Sequence, residues 1–100
     1  MIREVIEFLM KSHYDFMEVR RCIHPVSFSP VTIFTVFKRK HPLTKEQLKN
    51  MCMNIGDRLE YYDKKEFMID EHDLKLHFYN DMETVEKLES DLLNLKDTFK

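Results

Sequence analysis

The chain has 100 residues, of which 43% are apolar, 12% aromatic and 34% charged, with a net charge of −2 and a single glycine. That length holds one core and hence one domain, 1–100, and the composition excludes a disordered, low-complexity or collagen-like polypeptide. No apolar run is long enough to cross a bilayer and the acidic, amphipathic start is unlike a secretory signal, so the sequence reads as a cytoplasmic protein with no membrane association.

Ile2, Val5, Ile6, Leu9 and Met10 recur at helical spacing with Arg3, Glu4, Glu7 and Lys11 opposite, which predicts an amphipathic helix over 2–12 packed on a core. Its polar side is not basic enough for a helix lying on a membrane. Residues 14–23 and 31–39 are rich in β-branched and aromatic side chains and predict two strands. Pro25 and Pro30 bound their connection, so this first hairpin has a long loop. Phe28, midway along it, is an apolar ring that either tucks into the core or anchors a partner. The second strand is apolar on both sides, Val31, Ile33 and Phe37 on one and Phe34 and Val36 on the other, as in a central strand with both faces partly covered.

A second helix starts at Thr44, where Gln47 completes a capping box and Leu43 and Leu48 form a hydrophobic staple. Met51, Ile55 and Leu59 lie on its core-facing stripe. Gly56 flanks that stripe and points to close approach of a neighbouring backbone, or to a nearby helix end. Residues 64–70 and 73–79 predict a second hairpin about the turn Asp70-Glu71-His72-Asp73, pairing Ile69 with Leu74, Phe67 with Leu76 and Lys65 with Phe78, and leaving one wet face. Asn80, with Glu83 three residues on, opens a third helix over 81–99. Its seam, Val85, Leu88, Leu92, Leu95 and Phe99, is spaced 3, 4, 3, 4, which suits either packing on the sheet or a homodimer through that helix. The order α-ββ-α-ββ-α predicts an α+β fold: a four-stranded antiparallel sheet from two hairpins, with helices mainly on one face.

The five histidines are scattered without metal-ligand spacing, and Cys22 and Cys52 form no CxxC pair, so no metal site, disulfide or cofactor is expected. A single glycine leaves no phosphate-cradling loop, and no serine sits in a nucleophile elbow. The expectation is a protein with no catalytic residues. What the sequence does offer is charge asymmetry: residues 1–50 carry nine Lys/Arg against five Asp/Glu, and residues 51–100 carry seven against thirteen. The acidic half suggests a protein-binding surface made of Asp63, Glu66, Asp70, Glu71 and Asp73, joined by Phe28, that could occupy a basic groove. The alternative is direct nucleic-acid binding by Arg20, Arg21, Lys38, Arg39 and Lys40, with Tyr14, Phe16 and Phe34 available for stacking.

The run Phe78-Tyr79-Asn80-Asp81-Met82-Glu83-Thr84-Val85 resembles the start of the last helix in the anti-CRISPR family, small phage-borne inhibitors of a CRISPR nuclease; Ile2-Arg3-Glu4-Val5 and the strand entry Tyr14-Asp15 are loosely similar. The resemblance covers about fifteen residues. It implies a non-catalytic inhibitor of a host nucleic-acid-handling protein, acting in the host cytoplasm through an acidic surface. The basic segments Arg20–Arg21 and Lys38–Lys40 depart from that family's acidic, DNA-imitating pattern.

Overall fold

The computed structural model describes residues 2–22, 26, 32–62, 65–79 and 82–99. Phe28, Asp63 and the predicted cap Asn80 lie outside them. The elements are α1 (Ile2–Lys11), β1 (Tyr14–Cys22), β2 (Thr32–Arg39), α2 (Lys45–Arg58), β3 (Lys65–Ile69), β4 (Asp73–Tyr79) and α3 (Met82–Thr98). This is the predicted order.

Each element forms for a local reason. Ile2, Val5, Ile6 and Leu9 bury the apolar side of α1. The chain leaves that helix through His13, which sits at φ 66°, the left-handed region where helices often end. At the start of α2 the Thr44 hydroxyl accepts from the Gln47 amide while the Gln47 side chain accepts from the Thr44 amide, so the capping box is present. At the β3–β4 turn the Asp70 carboxylate accepts from the backbone amides of His72 and Asp73 at 2.9 and 2.7 Å. These bonds hold its carboxyl below the usual range and fix the turn.

The four strands form one antiparallel sheet in the order β1-β2-β4-β3. The second hairpin pairs as its alternation predicts, Lys65 with Phe78, Phe67 with Leu76 and Ile69 with Leu74. The two hairpins join through β2 and β4, which puts Ile33 opposite Phe78 and Phe37 opposite Leu74. A register shift between Phe16 and Glu18 marks a bulge in β1.

Because strand side chains alternate, this register sorts every residue to one side or the other. On one side Tyr14, Phe16, Ile33, Phe37, Leu74, Leu76 and Phe78 are buried in one cluster with the apolar sides of all three helices. Phe16 and Phe37 stack there, 4.8 Å between ring centroids. Thr35 is fully buried among them, and its hydroxyl has no hydrogen-bond partner among the described residues.

Two of the expected alternatives fall. The seam of α3 is not a surface: Val85, Leu88, Leu92 and Leu95 are all buried against the sheet and α1, so a homodimer through that seam has no free stripe to use. Among the described residues no backbone crowds Gly56, and the nearest atom to a Cβ built there is the Phe67 ring Cζ at 4.0 Å; the helix-end alternative holds, since α2 ends two residues on at Arg58. On the second side of β2, a central strand, Val36 is buried at 7% exposure and Phe34 half-buried, as a partly covered face predicts, although no described element packs over them.

Candidate functional site

All three helices pack on one side of the sheet, and no described element lies over the opposite side, called here the open face. The register lays out its side chains in cross-strand rows. At the end nearest the β3–β4 turn, Asp15, Lys38 and Asp73 stand in line across β1, β2 and β4, with the Lys38 ammonium 3.5 Å from the Asp73 carboxylate. The next row is Glu18, Val36, Lys75 and Met68, spanning all four strands. The third is Arg20, Phe34, His77 and Glu66. Tyr79 follows on β4.

The centre of this face is aromatic. The His77 ring meets Phe34 edge-on, 4.9 Å between centroids, and the Lys75 ammonium lies 5.8 Å from the Phe34 centroid. The Tyr79 hydroxyl donates to Glu66 Oε2 at 3.2 Å and lies 3.4 Å from His77 Nδ1. Having given its proton to Glu66, that hydroxyl can only accept from the ring, so Nδ1 carries the hydrogen and Nε2 the lone pair. His77 Nε2 is buried and has no hydrogen-bond partner among the described residues. Burial holds the imidazole below its usual range; Glu66 pulls the other way and Lys75 reinforces the shift. A neutral histidine therefore sits in the middle of an apolar patch. Met68 on β3 is 54% exposed and extends that patch toward the sheet edge.

Around this centre the charges alternate. Asp15, Glu18, Glu66 and Asp73 stand against Arg20, Lys38 and Lys75, so neither sign dominates. Arg20 pairs with Glu18 along β1 at 2.5 Å. An apolar, aromatic centre with a polar, mixed-charge rim is the composition of a protein–protein contact surface.

The structure disperses both charge sets that the sequence suggests. Within the acidic set, Glu66 lies on the open face, Asp70 is turned into its own turn, and Asp73 is paired with Lys38. Glu71 is exposed at the turn, where its carbonyl accepts from the Leu43 amide. Within the basic set, Arg20 and Lys38 face the open side at different ends of the hairpin. Arg21 points to the helix side and pairs with Glu89 of α3 at 2.7 Å. Arg39 is committed to the main chain: its guanidinium donates to the Ser12 and His41 carbonyls and lies 5.3 Å from the Tyr14 ring centroid. Lys40 is exposed beyond it. Tyr14 and Phe16 are core residues, which leaves Phe34 as the stacking ring still on the surface. The β2–β4 pairing places Lys38 and Arg39 beside the acidic turn, so basic residues of the first half and acidic residues of the second intermix there.

A cleft near the α1–β1 turn brings His13 and His41 together with Asp15, Arg39 and Lys40. Its best-placed cation, Arg39, serves as a clip between the α1–β1 turn and the β2–α2 connection. Among the described residues no group of three His, Cys, Asp or Glu side chains is placed to hold a metal ion. Cys22 and Cys52 are free thiols, partly buried on different elements. No helix among the described residues is long and apolar enough to cross a membrane.

Sequence reasoning missed the open face as a unit. Its signal was the second apolar side of β2, Phe34 and Val36, together with the wet side of the second hairpin. Comparison with known proteins finds no matching family model, no matching curated protein and no matching solved structure, so the site stands on its geometry alone.

Proposed function

We propose that this chain is a non-catalytic interaction module that binds a protein through the open face of its sheet. The observation that carries this reading is the position of Phe34, His77 and Met68: an apolar, aromatic centre on a face that no described helix covers, inside a rim of both charge signs. The mixed rim favours a protein over nucleic acid, which needs a predominantly basic track. It equally counts against imitation of DNA. An inhibitor of a host nucleic-acid-handling protein is a narrower form of the same proposal, with Glu66 and Glu71 as its exposed carboxylates.

The test is affinity capture from the native host after nuclease treatment, comparing the wild type with Phe34→Asp and Met68→Asp on the open face and Leu93→Asp on the helix side. Leu93 is 44% exposed on α3 and serves as the control. Loss of the same captured protein with both open-face variants, and its retention with Leu93→Asp, supports the proposal. Equal capture by all four proteins sinks it. Nucleic acid as the true partner would show itself as a gel shift that weakens steeply with salt.

A further inference from the structure

We infer that the open face is self-complementary and that its partner is a second copy of this chain, docked sheet against sheet. This inference rests on the reading of the open face as a protein-contact surface, and it identifies the occupant. The argument is the layout of charge. Consider a two-fold axis parallel to the strands, running between β2 and β4, the two central strands. It lays β1 of one copy over β3 of the other and β2 over β4. Strands are about 4.8 Å apart, so β1 and β3 lie about 7 Å on either side of the axis.

The row that contains Arg20, Phe34, His77 and Glu66 then meets its own reverse. Arg20 falls over Glu66 of the other copy, and Phe34 over His77. In the row at the turn end, Lys38 falls over Asp73. In the row between them, Glu18 meets Met68, and Val36 meets the aliphatic stem of Lys75. Symmetry makes each contact twice, so the face presents four opposite-charge contacts and a doubled aromatic centre. The like-charge overlap is Asp15 over Asp70 at a corner, where the Asp70 carboxylate is already turned into its own turn. Packed sheets stand about 10 Å apart, a gap that a long arginine or lysine side chain and a facing carboxylate close together, and the usual twist of about 30° between them is within the reach of such side chains.

The area also sets the strength. Four strands of about seven residues cover about 19 by 23 Å, or roughly 450 Å² of footprint per copy. Two copies bury an area near or below the lower limit of specific interfaces, about 1,200 Å² in total. The dimer is therefore weak and concentration-dependent.

Sedimentation equilibrium or light scattering across a concentration series tests this. The wild type should rise from the monomer mass of 12.3 kDa toward twice that value as concentration increases. R20E and E66R should each weaken the association at least tenfold, because each places like charges at two symmetric contacts. The swap R20E/E66R should restore it. A mixture of R20E with E66R should form a heterodimer, since both contacts then join opposite charges. These side chains are on the surface, and circular dichroism of the swap variant checks that the fold survives.

A wild type that stays monomeric at millimolar concentration overturns the inference, as does either single variant that associates like the wild type, or a mixture that does not pair. The underlying reading fails separately. If the wild type is monomeric yet Phe34→Asp and Met68→Asp still lose the captured protein, the face serves a foreign partner and only the second copy is wrong. If those variants capture normally, both ideas fall together.

Discussion

Replacing Gly56 by alanine should stabilise the protein. Gly56 is the third residue from the end of α2, it has ordinary helical φ, and an added Cβ would sit 4.0 Å from the Phe67 ring, an ordinary van der Waals contact. Glycine costs about 0.8–1 kcal/mol relative to alanine in a helix interior, through the extra backbone freedom it surrenders on folding. Position 56 is in the last turn, where fraying dilutes the effect, so a gain of about 0.5–1 kcal/mol is expected. For a domain of this size that raises the melting temperature by about 2–8 °C. The assay is differential scanning calorimetry with urea denaturation, and the urea m-value should not change. A melting temperature equal to or below that of the wild type would refute the reasoning. It would mean that backbone or a rigid side chain stands closer to Gly56 than Phe67 does.

Two further outcomes follow from groups left without partners. Thr35→Val keeps the shape of the buried side chain and removes a hydroxyl that finds no hydrogen bond, so chemical denaturation should show a gain of about 1 kcal/mol; a loss would show that the hydroxyl is satisfied in solution. Burial holds the His77 imidazole below the ordinary histidine range in the folded state, so the unfolded chain binds a proton more readily than the native one. Its contribution to stability is therefore complete above about pH 6.5 and lost as pH falls from there toward the folded value. His77→Gln should flatten that limb of the stability–pH curve, and an unchanged limb would assign the effect to another group.

The parts of the fold that were legible in the sequence are those set by local chemistry. Thr44 and Gln47 announced the start of α2, and the alternation through Phe67, Ile69, Leu74, Leu76 and Phe78 fixed the second hairpin's register to the residue. What was not legible depends on how the hairpins meet. Nothing local says that β4 rather than β3 lies beside β2, yet that choice sets Lys38 of the basic half against Asp73 of the acidic half. Arg20 and Arg21 are adjacent in sequence but on opposite sides of a strand, so they cannot act as one basic patch. Phe34 and Val36 signalled a second, partly covered side of β2, but nothing local says that their cover is neighbouring side chains of the sheet and no described helix.

The irregularity in β1 also constrains how copies of this molecule can meet. Both outermost strands are poor templates for adding another: β3 has five residues, and β1 is interrupted between Phe16 and Glu18 and carries Asp15, Glu18 and Arg20. Growth by lateral strand addition, the route to fibrils, is blunted on both flanks. A partner of any kind is thereby steered toward the broad face of the sheet and away from its strand edges.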